Sequence, residues 1–256
     1  MTDTHTHLYM TDVYPDGGVG AVERAIEAGV TRMVFPGVEP SSIAPMLALH
    51  RRFPDNTRVA LGLHPTELTG DWRRTLDELE AMLPGCYSAI GEVGIDLYHD
   101  ASQRMEQREA FARQLGWAQR HDLPVIIHCR EGLDDTLDII SRADGDLPPL
   151  IFHSFTGTAA DVRRIREVSD PWFGINGVVT FKNAPLLREA LPEIGLDRMV
   201  FETDSPWLSP APKRGQTNES ARIPYIRDMV AATLGVTPDE VETVTDRAAA
   251  RLFNFQ

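Results

Sequence analysis

A chain of 256 residues with 42% hydrophobic residues, 25% charged residues and a formal charge of −13 has the usage of an ordinary globular protein. That composition excludes disorder, collagen-like repeats and a disulfide-stapled miniprotein. The acidic balance also argues against a protein that coats nucleic acid nonspecifically, because such binding needs Lys and Arg to displace counterions. It leaves room for an enzyme with a local basic patch.

Along the chain, short apolar runs end near Thr4, Phe35, Leu61, Ile90, Ile127, Phe152, Ile175 and Phe201. Most are flanked by Gly or Pro, as buried strands tend to be. The first is the weakest, being only a few residues long. Helical patterns lie between the runs. Trp72, Leu76, Leu79 and Leu83 form a stripe behind an Asp71 N-cap. Phe111, Leu115 and Ala118 form a second, and Leu133, Leu137 and Ile140 a third. Thr237, Pro238 and Glu240 give a helix start with N-cap, N1 proline and capping box. Eight strand signals alternating with helices predict an α/β fold, a single (β/α)8 barrel over residues 1–256 as one domain. A doubly wound open sheet is the competing arrangement. Two cysteines, Cys86 and Cys129, are too few for a disulfide framework. No run reaches the roughly 18 apolar residues of a membrane span. The first residues, Met1 to His5, carry neither a basic n-region nor an apolar h-region, so a cytoplasmic setting is expected.

The residues with chemistry stand where the apolar runs end. Asp3, His5 and His7 sit at i, i+2 and i+4, and in a strand they share one face. A lone His-x-His pair is weak, and a polar surface explains it equally well. Four further strand ends repeat the theme, with Glu92 after Ile90-Gly91, His128 after Ile127, His153 after Phe152, and Glu202 and Asp204 after Phe201. In a parallel barrel such ends converge on one mouth. His5, His7, Glu92, His128, His153 and Asp204 are therefore the expected metal ligands. Four imidazoles and two carboxylates exceed one open tetrahedral site and suit two divalent ions about 3.5–4 Å apart, with Glu92 bridging. Ligation by N and O without thiolate suits Zn, Mn, Fe or Ni, and Mg less well. Strand alternation turns Cys129 away from the face of His128, so its expected role is packing.

His64, in Gly-Leu-His-Pro, follows the third run, and Arg130 is i+2 from His128. Each has a plain alternative: His64 as a strand cap, and Arg130 as a partner of Glu131 or Glu92. Loops after the seventh and eighth strands recurrently bind phosphate in these barrels. Here the first carries Lys182. The second, residues 205–227, carries Lys213, Arg214, Arg222 and Arg227 against Glu219 alone. A solvated loop whose arginines meet surface acids is the competing reading.

In these segments the chain resembles the TatD-family metal-dependent hydrolases, a branch of the amidohydrolase-like TIM barrels. The resemblance rests on DTHTHL from Asp3, GLHP from Gly62, IGEVGID from Ile90, PVIIHCRE from Pro124 and HSFTGT from His153. It continues in GVVTFKNA from Gly177, ETDSPWLSP from Glu202 and KRGQTNES from Lys213. These fall in the family's order over nearly the whole chain. The resemblance implies the same six ligands and a divalent-metal DNase, often a 3′→5′ exonuclease on single-stranded DNA or RNA. Thr66 after His-Pro, the stretch Leu97 to Asp100, and Ser220 after Asn218-Glu219 depart from the commoner family pattern, and none is a ligand.

The expected reaction is hydrolysis of a phosphodiester by a metal-bound hydroxide. Catalytic roles fall to Glu92, to Asp204 as acceptor of the nucleophile's proton, and to His64 as donor to the leaving oxygen. Substrate contacts fall to Arg130, Lys182, Lys213, Arg214 and Arg222. The expected partner is a nucleic-acid end or small phosphodiester, with no membrane and no obligate protein partner. One alternative is the same centre acting on a small ester, lactone or amide. Another is a noncatalytic binding barrel, which an incomplete ligand set would have favoured.

Overall fold

The structure, a computed structural model, describes residues 1–83 and 85–255. Eight parallel strands, β1 (Thr2–Asp3), β2 (Arg32–Pro36), β3 (Thr57–Leu61), β4 (Ala89–Asp96), β5 (Val125–Arg130), β6 (Leu150–Phe152), β7 (Trp172–Ile175) and β8 (Met199–Phe201), pair in sequence order. Between and after them run α1 (Val19–Glu27), α2 (Pro40–Arg52), α3 (Trp72–Glu80), α4 (Arg104–His121), α5 (Leu133–Ser141), α6 (Ala159–Arg166), α7 (Pro185–Ile194), α8 (Ile223–Leu234) and α9 (Pro238–Phe253). This is the TIM barrel that the alternating runs predict. β1 is short, as its weak signal implies, yet the sheet closes beyond it. The Thr4 N–H donates to Phe201 O at 2.8 Å, Asp204 N–H to His5 O at 2.9 Å and His7 N–H to Ser205 O at 2.8 Å.

Alternation along the strands sorts the apolar residues into two layers. Val34, Ala60, Ala89, Ile126, Ile151 and Val200 turn inward and form one buried cluster. Their neighbours Phe35, Leu61, Ile90, Ile127, Phe152 and Phe201 turn outward and pack under the helices. The inward set is small or β-branched because eight side chains share a narrow interior, whereas the outer layer has room for aromatics. Leu252 and Phe253 of α9, with Phe255 beyond it, join the inward cluster at the N-terminal end of the barrel. Arg58 lies 4.5 Å over the Phe255 ring.

The inward parity carries on to the mouth. Two residues beyond Ile126, Ile151 and Val200 stand His128, His153 and Glu202. β4 departs from simple alternation. Its register against β5 shifts between Ile90 and Val93. Strict alternation from Ala89 would have put Gly91, Val93 and Ile95 inside. Instead Val93 and Ile95 join Ile90 in the outer layer, and Glu92, Gly94 and Asp96 take the interior side. Gly94 is required there, because a Cβ would sit 2.0 Å from the His128 carbonyl oxygen.

Candidate metal centre

Glu92 is the hub of the mouth. Its Oε2 lies 3.1 Å from His5 Nε2 and 3.8 Å from His7 Nε2. Its Oε1 lies 2.8 Å from His128 Nδ1, 2.9 Å from His153 Nε2 and 3.3 Å from His64 Nε2. Asp204 Oδ1 closes the first group, 3.8 Å from His5 Nε2 and 3.7 Å from His7 Nε2. All six residues expected as ligands are thus brought to one place, from β4, β5 and the ends of β1, β6 and β8. His64 joins them.

Asp3 does not. It shares parity with His5 and His7 but lies one layer deeper, where its carboxylate accepts the Thr203 N–H at 2.9 Å and the Thr203 hydroxyl at 2.6 Å. Burial lifts its carboxyl to about 7 against those hydrogen bonds. Its contribution is to tie the start of β1 to the end of β8.

Neighbours hold the imidazoles in defined orientations. The Tyr9 hydroxyl donates to Pro36 O at 2.5 Å, so its oxygen accepts from His7 Nδ1 at 2.9 Å. That places the His7 proton on Nδ1 and leaves the Nε2 lone pair facing the mouth. Glu202 Oε1 accepts the Ser154 N–H at 2.5 Å and lies 3.2 Å from His153 Nδ1. Gly174 makes this possible, since a Cβ there would be 2.2 Å from Glu202 Oε2. Asp96 Oδ2 sits 3.0 Å from His128 Nε2 and 2.8 Å from His99 Nδ1. At His64 the Thr66 N–H donates to Nδ1 at 3.2 Å, so the neutral ring carries its proton on Nε2, toward Glu92.

The electrostatics follow from crowding charges in a dry place. Burial, reinforced by His153, pushes His5 down to about 4. Burial and His5 hold His7 well below its ordinary value. Burial pushes the Glu92 carboxyl up, but His153, His5 and His64 outweigh it and hold it well below the usual range. His153 is held well above its ordinary value, because Glu92 and Glu202 override the cost of burial. Burial lifts Asp204 to about 8, with Glu92 and Glu202 adding to it and His153 opposing.

Such a cluster fits a cation. His5 Nε2 and His7 Nε2 approach to 3.2 Å, and His5 Nδ1 is buried without a hydrogen-bond partner. Three ligand groups have donor atoms within one ion's reach: His5, His153 and Glu202; His5, His7 and Glu92; and His64, Glu92 and His128. Two of them share Glu92. Imidazole nitrogen with carboxylate oxygen is a donor set for a borderline divalent metal.

Glu202, Asp96 and Tyr9 were not among the expected site residues. Each carried a signal, standing at even spacing from a ligand on an inward-facing strand end: Glu202 from Asp204, Asp96 from Glu92, Tyr9 from His7. Cys129 turns to the outer layer, where the Thr136 hydroxyl meets its sulfur at 3.6 Å.

The expected substrate contacts divide. Arg130 pairs with neither Glu131 nor Glu92 among the described residues, and its guanidinium lies 3.7 Å over the Tyr98 ring. Lys182 and Arg214 are exposed, with Arg214 stacked 3.8 Å over Phe181, and Lys213 is half-buried. Arg222 is drawn inward to Ser209 Oγ and to Gln216 Oε1 at 3.2 Å, so it braces the loop after β8 instead of standing free. Arg227 has to be removed from the basic loop altogether. It sits on α8 at the opposite end of the barrel, 2.9 Å from Glu242 and against Met1. Helix α8 starts at Ile223 and carries its last residues away from the mouth. Glu219 in turn is taken by Arg24 of α1 at 2.7 Å.

Comparisons with known proteins identify the family to which the chain is similar. The family described as "TatD related DNase" matches residues 2–254. The chain is 33% identical to the uncharacterized metal-dependent hydrolase YabD of Bacillus subtilis, over 99% of this chain and 98% of that protein. It is 34% identical to the 3'-5' ssDNA/RNA exonuclease TatD of Erwinia tasmaniensis, over 91% of this chain and 92% of that one. The crystal structure of YJJV, a TatD homolog from Escherichia coli, superposes with a TM-score of 0.89 at 28% identity, covering 99% of this chain and 98% of the other.

Proposed function

The chain belongs to the TatD family of metal-dependent hydrolases, and from that premise we propose that it cleaves phosphodiester bonds of single-stranded DNA or RNA from a 3′ end with two divalent ions. The observation that carries this is the division of Glu92, one oxygen toward His5 and His7 and the other toward His128 and His153. In this reading His5, His7 and Asp204 would hold one ion and His128 and His153 the other, with Glu92 between the two sets. The chemistry that divalent ions would supply there is acidification of a water and neutralisation of charge on the phosphoryl oxygens.

The remaining work falls to the chain itself. The Asp204 carboxylate accepts the proton of the attacking water, since its side chain is 16% exposed while those of Glu92 and Glu202 are 5% and 1%. His64 presents its Nε2 proton to the leaving oxygen. Lys182, Lys213 and Arg214 bind flanking phosphates. Exonuclease-named relatives support the substrate class, and a cytoplasmic location fits a chain in which no described helix is long and apolar enough to cross a membrane. The test is a panel of single-stranded DNA, RNA and small esters offered to metal-loaded protein of measured metal content. Release of mononucleotides from a 3′ end is the expected result. Turnover of esters with no attack on either nucleic acid overturns the proposal in favour of a small-molecule hydrolase.

A further inference from the structure

We propose that Tyr98 and Trp207 form a two-sided stacking rim that grips unpaired nucleobases on either side of the scissile bond. This rests on the phosphodiester reading above.

Two aromatic rings beside the metal centre keep much of their surface open to solvent. Among the described residues five large hydrophobic side chains are exposed: Met82, Tyr98, Met105, Leu186 and Trp207. The two aromatic ones both adjoin the metal centre. Trp207 is 51% exposed, yet its N–H donates to Asp204 O at 3.0 Å and its ring stands edge-on 5.5 Å from the His7 ring. Its backbone is therefore fixed beside a ligand while half its indole faces solvent. Tyr98 is 57% exposed and lies two residues beyond Asp96, whose carboxylate meets His128. The Arg130 guanidinium backs one face of the Tyr98 ring, which orients the ring through a cation–π contact.

The barrel order sets the two rings apart. Trp207 follows β8, beside β1, and Tyr98 follows β4, beside β5. In an eight-stranded barrel these positions face each other across the mouth. A strand lying over Glu92 therefore meets one ring on each side.

Charge explains why rings are needed. Lys182, Lys213 and Arg214 lie on the loops after β7 and β8, whereas on the β4–β5 side Arg130 is held against the Tyr98 ring. On the far side a cavity of about 530 Å³ opens beside His153, and its walls include Glu131, Asp134, Asp135 and Asp161 against Arg104 and Arg164. Those arginines are already paired, Arg164 with Asp134 at 2.5 Å and Arg104 with Asp135 at 2.8 Å. Those pairs leave Glu131 and Asp161 to set the charge of that wall, which offers a phosphate no free cation among its lining residues. A nucleotide held there needs a grip on its base, and every base has a π face whatever its sequence. Tyr98 with Arg130 supplies one that ignores the acidic wall.

The test measures binding and cleavage separately on metal-loaded protein. Fluorescence anisotropy follows a 5′-labelled phosphorothioate hexamer, with all bases present or with its sugars abasic. Tyr98→Ala and Trp207→Ala should each weaken binding of the base-bearing strand about tenfold, within the range measured for single base stacks, and leave the abasic strand within about twofold. Tyr98→Phe and Trp207→Phe keep a ring and should stay near the parent. Met105→Ala, an exposed change on the outer helices, should alter neither. Equal weakening on both strands, or none on either, overturns the proposal. Cleavage of an ordinary oligonucleotide without base-dependent binding leaves the nuclease standing and removes the rim. Base-dependent binding without any cleavage does the reverse, and loss of both removes both.

Discussion

Tyr9 fixes the tautomer of His7: its oxygen, 2.9 Å from His7 Nδ1, can only accept there because its own proton goes to Pro36 O. A hydroxyl with one proton and two neighbours thereby decides which imidazole nitrogen faces the mouth. Tyr9→Phe removes that constraint and leaves the ring's packing in place. Metal affinity should fall about 10- to 100-fold, the usual cost of losing such a partner, with the thermal midpoint nearly unchanged. Titration of the stripped protein with Zn or Mn, followed by calorimetry, checks this.

Glu202 and Gly174 should behave as one unit. Glu202→Ala removes the carboxylate 3.2 Å from His153 Nδ1 and leaves the Ser154 N–H without its acceptor. Gly174→Ala reaches the same end sterically, since its Cβ would lie 2.2 Å from Glu202 Oε2. Both variants should lose metal from the His153 side and keep it on the His7 side, so metal analysis should read about one equivalent in place of two. Full occupancy in both would show that Glu202 is a bystander.

Replacing Glu92 with Ala should abolish turnover, because among the described residues it is the carboxylate that stands within 4 Å of His5, His7, His128 and His153 together. Asp204→Asn should lower kcat about 100- to 10,000-fold, the range for loss of a positioned proton acceptor. Circular dichroism should show an intact barrel in each. Nuclease rates close to the parent in either would remove that residue from the assignment.

Charge reversal at Lys213 and Arg214 distinguishes an anionic polymer from a small neutral substrate. If these side chains hold phosphates, Lys213→Glu with Arg214→Glu raises KM for single strands. It should also flatten the salt dependence by about 0.7 per phosphate lost. Rates measured across a salt series give both numbers. Indifference to the double reversal favours an ester or lactone.

Stability is expected to hinge on the plug at the other end. Phe253 is fully buried among Val34, Ala60, Ile126 and Val200. Phe253→Ala should cost about 3–5 kcal/mol, as large-to-small changes at filled aromatic sites do. Urea unfolding with an unchanged slope would report it.

Much of this was legible in sequence because the signals were local. Ile126 to His128 and Ile151 to His153 read as strand ends that keep parity, and parity in a parallel barrel leads to the mouth. The N-cap at Thr237 and the stripe behind Asp71 likewise needed only their own neighbourhoods, although Glu240 does not return the bond that a capping box requires. Charge counts, by contrast, carry no direction for Arg227 and Arg222. One rode a helix to the far end of the barrel, and the other turned inward to brace its own loop.

The sequence by itself determined the eight-run alternation, the barrel and the cluster of imidazoles and carboxylates at its mouth, since each depends on residues a few positions apart. Only the tertiary structure decided that Glu92 turns inward, because that follows from the register shift between β4 and β5. It alone decided that Glu202 rests against His153 and that Asp3 is withdrawn into a β1–β8 tie. Each of these joins residues far apart in the chain, and closing the barrel is what brings them together.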